Sequence, residues 1–293
     1  MLEKVISILF PIFAVVIAGF FVGKQFKPDM GDINRINIDL MIPCLVFSTL
    51  ATMPLGKEQS SLLFAASLAV LLPRLLMIPA CRLLKLSYKT WTPPQMFRNS
   101  GNLAIPLFGY AFGTAAEGPA VLLFVVSLLL HITVGLALLS NDEYQFKNVL
   151  KMPLLWASLA AISFNLFNLT LWKPLYEAMT LVGQAAVPIM LISLGVQLTA
   201  IRWSGIGIGL LSTGLSLVTG GITFAAIYHW IPLPAEHMKM LLLFTMLPPA
   251  VMNFLLAERF RIGADKVASM VLFGNLLTII TLPLLLAATF YIE

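Results

Sequence analysis

Charge is scarce in this sequence. Only 11% of its 293 residues are Asp, Glu, Lys or Arg, 59% are hydrophobic, and the mean hydropathy is +0.95. A water-soluble domain cannot hide that much apolar surface, so lipid is the expected solvent for most of the chain. Long polar stretches are lacking too. The longest, about 24–38, 82–93 and 141–151, are each too short to build a core, which excludes a soluble domain. The apolar runs are continuous rather than alternating, which argues against a transmembrane barrel. Cysteine is almost absent. Cys44 and Cys81 both sit in apolar surroundings and read as buried free thiols, not a disulfide framework. There is no Walker P-loop G-x-x-x-x-G-K-[ST], no H-E-x-x-H, no G-x-S-x-G elbow and no cluster of metal-ligand residues. ATP drive, zinc hydrolysis and serine hydrolysis therefore have no foothold. The expectation is a protein that is not an enzyme and holds no metal or cofactor.

What the sequence does have is long apolar runs, and a helical span needs about 20 such residues. They fall at roughly 5–23, 35–54, 61–81, 92–113, 118–140, 152–172, 177–199, 204–229, 238–257 and 267–291, ten in all. Residues 1–23 lack a basic leading region and an A-x-A site, so they read as the first span rather than a signal peptide. The net charge of +5 is a topology signal, not a nucleic-acid one. Alternate loops, starting with the first, hold twelve basic residues: Lys24, Lys27, Arg35, Arg82, Lys85, Lys89, Lys147, Lys151, Arg202, Arg259, Arg261 and Lys266. The other side holds four: Lys4, Lys57, Lys173 and Lys239. The positive-inside rule puts the twelve in the cytoplasm. The prediction is a multi-pass protein of the inner (cell) membrane with both termini on the extracytoplasmic side.

Ten spans that start outside split into two sets of five with opposite orientation, 1–148 and 149–293, and the sequence carries traces of a repeat. "IPCLVFSTL" (42–50) aligns with "VPIMLISLG" (187–195), pairing Pro43 with Pro188 and Ser48 with Ser193. "AAEGPAVLLFVVSLLLHIT" (115–133) aligns with "GADKVASMVLFGNLLTIIT" (263–281), pairing Ser127 with Asn275. The fourth span then pairs with the ninth, and both are odd. "RNSGNLAIP" (98–106) and "LPPAVMN" (247–253) put Pro, Gly and Asn inside apolar runs. An interior proline removes a helical hydrogen bond and costs about 3 kcal/mol. In hydrocarbon, broken helix is tolerated only against protein or a wet cavity. Its half-helix N-terminus then offers N–H groups and a positive dipole end to an anion. Interrupted spans in corresponding positions of two halves point to a transporter's binding site. The candidate binding residues are Asn99, Ser100, Gly101, Asn102 and Pro106 from one half, and Pro248, Pro249 and Asn253 from the other. Ser48, Gln184 and Ser193 are candidates for the facing side of the site. Asn275 and Ser127 flank the crossing and are expected to hydrogen-bond its loose backbone.

Arg98 is placed at the cytoplasmic edge of the fourth span, where it could snorkel or meet a carboxylate. Glu258, at the end of the ninth, is a candidate for proton coupling. Arg74 lies within the third span, with Asp39 as a possible partner, and His131 reads as a hydrogen-bonded packing residue.

At "AVPIMLISLGVQL" (186–198), "NSGNLAIPL" (99–107) and "LPPAVMNFLLAERFRIGADKVASMVLFGNLL" (247–277) the chain resembles the auxin efflux carrier family, which includes plant auxin exporters and bacterial permeases for small carboxylates. The resemblance covers essentially the whole chain. It aligns Asn99 and Pro106 with the family's Asn and Pro seven residues apart, and Pro248 with its ninth-span proline. It departs at Asn253, where plant members have a further proline, so the auxin site itself is not carried over. Plant members also insert a long hydrophilic loop where this chain has only "NDEYQFKNVLK". The resemblance implies a fold like the bile-acid sodium symporters. Spans 1, 2, 6 and 7 would form a scaffold, spans 3–5 and 8–10 a mobile transport domain, and spans 4 and 9 would cross where they unwind. It implies elevator-like movement and homodimers formed through the scaffold.

The expected function is secondary active or facilitative transport of a small organic anion, a mono- or dicarboxylate, with the coupling ion open between proton and sodium. A transport-inactive membrane receptor with the same fold is the alternative. Such receptors usually carry a signalling domain, which no stretch of this sequence is polar and long enough to supply.

Overall fold

The computed structural model describes residues 2–53, 56–139 and 150–292. Pro54 and most of the 141–151 loop, including the 148/149 boundary between the expected halves, lie outside the described residues. Among those described the chain is entirely helical, with twelve helices and no sheet. Seven are long and apolar enough to cross a membrane: α1 (Leu2–Phe26), α2 (Gly31–Leu50), α3 (Lys57–Leu83), α6 (Thr114–Leu139), α8 (Lys173–Leu198), α9 (Trp203–Trp230) and α12 (Ala264–Thr289). The shorter apolar helix α7 (Pro153–Leu166) starts on a proline, whose missing N–H would have no helical partner there anyway. The remaining four form two interrupted pairs: α4 (Tyr88–Met96) with α5 (Ile105–Phe112), and α10 (Ala235–Met246) with α11 (Met252–Arg259). A helix or an interrupted pair thus occupies each of the ten apolar runs.

The helices are apolar all round, as a lipid solvent requires. On α1, Val5, Ile8, Leu9, Ile12 and Val16 are buried, while Ile6, Phe10, Ile17 and Phe21 face outward. Among the described residues the only ion pairs are Arg35–Asp39 (3.6 Å) and Lys173–Glu177 (3.8 Å), both exposed and one helical turn apart. Asp39 therefore belongs to Arg35 and not to Arg74, which is exposed on α3. The sequence offered Asp39 only as a possible partner for Arg74. Helix geometry makes the residue four positions away the cheaper partner.

Without a hydrophobic drive between helices in lipid, close backbone approach and interhelical hydrogen bonds decide packing. α1 packs along α8, and α2 packs on both α7 and α8. At the α1–α8 crossing a Cβ on Gly195 would fall on the Val16 carbonyl and 2.7 Å from Phe20 N; one on Gly19 would lie 2.8 Å from Ile192 Cα. On the α2 side, the Asn165 amide of α7 donates to the carbonyls of Leu50 and Met53, which satisfies acceptors left free at the end of α2. A second group forms elsewhere: α3 packs on α4, α6 and α9, and α9 packs on α10 and α12.

Replacing Gly195 with Leu should lower the midpoint of thermal unfolding in detergent by about 5 °C or more, since overpacking against backbone typically costs 1–3 kcal/mol. Gly214→Leu, where a Cβ meets nothing within 4 Å, should leave the midpoint unchanged. Equal losses in the two variants would contradict the close α1–α8 crossing.

Candidate functional site

The two interruptions meet. Phe97 and Arg98 run extended after α4, Leu247 to Pro249 run extended after α10, and the two segments lie antiparallel with Arg98 opposite Pro249. Asn99 N donates to the Pro248 carbonyl at 2.8 Å, and Ala250 N donates to the Phe97 carbonyl at 3.0 Å. Central residues of such a pair point their N–H groups away from the partner strand, so a proline fits opposite Arg98 without costing the ladder a bond. Each break thereby supplies what the other lacks. This is a way to hold unwound backbone inside an apolar protein, where an unpaired polar group is costly.

Three asparagines lock the crossing. Asn253 Nδ2 donates to the carbonyls of Phe97 (2.8 Å) and Ala250 (2.9 Å), one on each side of the junction. From α12, Asn275 Nδ2 donates to the carbonyls of Pro249 (3.3 Å) and Val271 (2.8 Å), while its Oδ1 accepts from Asn99 Nδ2 at 2.7 Å. α12 comes this close because residue 274 is glycine; a Cβ there would sit 2.9 Å from Pro249 Cδ. Asn275 therefore does what the sequence suggested for it, but Ser127 does not share the task.

A partly open cavity of about 310 Å³ lies beside the crossing. The first break contributes Arg98, Asn99, Ser100, Gly101 and Asn102; the second contributes Ala250, Val251 and Met252. α6 adds Phe124, Ser127 and His131, and the opposite wall comes from α2 and α8 with Asn34, Asn37, Met190, Ser193 and Gln197. Three π-helical turns border this one cavity. Asn37–Met41 presents Asn37, Ser100–Ala104 presents Ser100 and Asn102, and His131–Gly135 presents His131. An i→i+5 turn loosens a helix locally and re-aims its side chains, and such turns recur at functional sites. On the α2–α8 wall Ser193 Oγ donates to Asn34 Oδ1 (2.8 Å) and Gln197 Nε2 donates to Ser193 Oγ (3.3 Å). Asn37 Oδ1 and Gln197 Oε1 are buried without a partner. His131 stacks flat on Phe97, centroids 4.0 Å apart, with Nε2 unpaired. It is packed as expected but lacks the expected hydrogen bond.

Of the sequence candidates, then, Asn99, Ser100, Gly101, Asn102, Ser127 and Ser193 come together around the cavity. Pro248, Pro249, Asn253 and Asn275 build the crossing behind it, and Pro106 sits in the first turn of α5. Three candidates lie off the cavity. Ser48 bonds within its own helix to Leu45 O, and its carbonyl accepts from Tyr176. Gln184 is exposed within α8, beside its brief interruption at Ala185, and Glu258 is exposed near the end of α11.

Arg98 needs a correction. It does not snorkel outward but is 2% exposed at the junction; α4 begins at Tyr88, about one helical turn before the apolar run seems to start. Its guanidinium meets a hydroxyl stripe on α9, with Ser216 Oγ at 2.6 Å and Thr219 Oγ1 at 3.3 Å, and Gln95 joins Ser212 and Ser216 in the same network. Sequence reasoning missed this stripe, and it missed Asn34, Asn37 and Gln197. A signal existed: Ser212, Ser216, Thr219 and Thr223 recur on one face of an otherwise apolar helix.

A second cavity of about 470 Å³ adjoins the first and shares Gln197, Val251 and Phe254 with it. Its outer lining includes Arg202, Ser204, Asp265 and Lys266.

Interrupted helices tied to each other beside a cavity that holds several amides and hydroxyls belong to an all-helical, multi-pass membrane protein. Comparison with known proteins makes this specific. The family model described as membrane transport protein, that of the auxin efflux carriers, matches residues 137–286, just over half of the chain, and the chain belongs to this family. An uncharacterized transporter from Methanothermobacter thermautotrophicus is 28% identical across an alignment of 307 positions that covers 96% of each chain.

Because Asn99 and Asn275 share a bond, Asn99→Ala and Asn275→Ala should each lower stability by about 1–2 kcal/mol. The double variant should lose clearly less than the sum of the two, by about 1 kcal/mol, in a double-mutant cycle of thermal or denaturant unfolding. Strict additivity would mean that the crossing is not held by this pair.

Proposed function

We propose that the protein is a secondary active or facilitative transporter of a small organic anion, a mono- or dicarboxylate, bound at the helix crossing and moved by an elevator-type mechanism. The observation that carries this reading is the opening of two mutually bonded helix breaks onto one cavity, whose mostly apolar lining carries a set of amides and hydroxyls. A membrane protein that needed only to span would not break two helices at the same place. The N–H groups of Gly101 and Asn102 and the side chains of Asn99, Ser100 and Asn102 are suited to a carboxylate, since helix N-termini and amide donors bind anions in low dielectric; the Ser100 and Ala104 N–H groups are taken by the carbonyls of Arg98 and Asn99.

In this reading the chain crosses the membrane ten times as two inverted five-helix repeats, with α4–α5 and α10–α11 as the fourth and ninth spans. α1, α2, α7 and α8 act as the scaffold and the remaining helices as the moving domain; the packing of α1 and α2 on α8 supports that division. The polar wall of Asn34, Asn37, Ser193 and Gln197 is then the scaffold face across which the loaded site slides. The outer cavity, with Arg202 and Lys266, opens on the side that the charge count assigns to the cytoplasm, and gives the anion a positive approach. The termini lie on the opposite side, and two copies pair through their scaffolds.

The test is ligand-induced stabilisation followed by transport. At least one small carboxylate should raise the thermal midpoint of the purified protein by mass action. Asn102→Ala should weaken that ligand about tenfold or more, as loss of a hydrogen bond to a charged group costs about 1.5–3 kcal/mol. In proteoliposomes the same ligand should show saturable uptake that Asn99→Ala abolishes. Binding of neutral solutes only, or wild-type uptake by Asn99→Ala, would contradict the proposal.

A further inference from the structure

Arg98 heads the largest fully buried side chains, and what it touches is all neutral. Its Nη atoms donate to the Ser216 and Thr219 hydroxyls and to the main-chain carbonyls of Ser216 and Leu247; its Nε has no partner. Among the described residues no Asp or Glu pairs with it. The Leu247 carbonyl, at the end of α10, brings only the partial negative charge of a helix C-terminus. These acceptors hold the guanidinium in place without neutralising it. A buried cation lacking a counter-ion is costly inside a membrane protein, and such residues mark function. Arg98 also contributes to the lining of the crossing cavity and is the one residue of that lining with a fixed charge; its guanidinium turns toward Ser216 and Thr219 of α9, outside the lining, so its charge acts on the cavity from a distance.

We infer that the missing counter-ion is the substrate, and that Arg98 sets the substrate's charge at one. This rests on the reading of the cavity as an anion site. A monocarboxylate in the cavity cancels the charge of Arg98. A neutral analogue leaves the guanidinium uncompensated, and a dicarboxylate brings a second negative charge for which the lining has no cation. Arg98 is thus a selectivity residue that acts through charge, while the donors at Asn99, Ser100 and Asn102 orient the carboxylate. The loaded crossing is electrically neutral and the empty one carries a single positive charge. The membrane potential therefore acts on the return of the empty carrier rather than on the loaded step.

The experiment uses the full chain in detergent at about pH 7.5, where carboxylates are ionised, and reads Kd from thermal shifts at constant ionic strength. The probes are acetate, benzoate and phenylacetate; their neutral amides; and malonate, phthalate and succinate. At least one monocarboxylate should bind tenfold or more tighter than both its amide and any dicarboxylate. Arg98→Gln should lose that preference, and Arg98→Lys should keep it. Ser216→Asp tests the same idea without removing the arginine. By placing a carboxylate on the guanidinium it should raise the midpoint of the ligand-free protein and abolish monocarboxylate binding. It also decides the matter if Arg98→Gln does not fold. A dicarboxylate that binds as tightly as the monocarboxylates overturns the charge assignment and leaves the anion site standing. So does monocarboxylate binding that persists unchanged in Arg98→Gln or Ser216→Asp. If no carboxylate of either charge binds the wild type, the anion site falls and this inference with it.

Discussion

The structure depends on one constraint: backbone polar groups removed from water must find partners within the protein. Eight of the ten apolar runs meet it in the usual way, by being helices. At Phe97–Asn99 and Leu247–Ala250 helical bonding stops, and the constraint is met by pairing one break with the other. Much of the surrounding sequence follows from that pairing. Pro249 is tolerated because its position in the antiparallel pair needs no donor. Residue 274 is glycine because α12 must lie against the prolines. Asn253 and Asn275 are amides because each must donate twice to carbonyls that helices would otherwise have satisfied.

The same junction concentrates chemistry. Broken helix exposes N–H groups and frees side chains that a continuous helix would direct into lipid. Three π-helical turns surround the spot, each on a different part of the chain, and each turns a polar residue toward the cavity. The opposite wall, from α2 and α8, is polar without being charged. A site of this kind can release its ligand across a sliding interface, because no ion pair has to be broken between the two sides. This property fits the proposed movement of one helix group against another.

The crossing was largely legible in the sequence. Pro106, Pro248 and Pro249 announced the breaks, and Asn99, Asn253 and Asn275 stood out because amides are rare in apolar runs. The facing wall was less legible. Ser193 could be picked out through the 145-residue offset to Ser48, but only Ser193 reaches the cavity; Ser48 turns inward on its own helix. Asn34, Asn37 and Gln197 were not singled out, because their place at the cavity comes from how α2 and α8 face the crossing, not from their neighbours in sequence. The burial of Arg98 was not legible for a related reason. Hydropathy set the start of its span at residue 92, whereas Tyr88–Trp91 already belongs to α4, which carries Arg98 into the protein. Local composition gives depth poorly where a helix begins with Lys and Thr.

The central claim is that the crossing is the place where substrate binds. A structure determined by electron cryo-microscopy with the tightest-binding carboxylate tests it most directly. The account predicts ligand density in the cavity between the turn at Ser100–Asn102 and the wall formed by Ser193 and Gln197, with its carboxylate oriented by the first break. Density confined to the outer cavity between Arg202 and Lys266, or to the lipid-facing surface, with the crossing cavity empty, would contradict it.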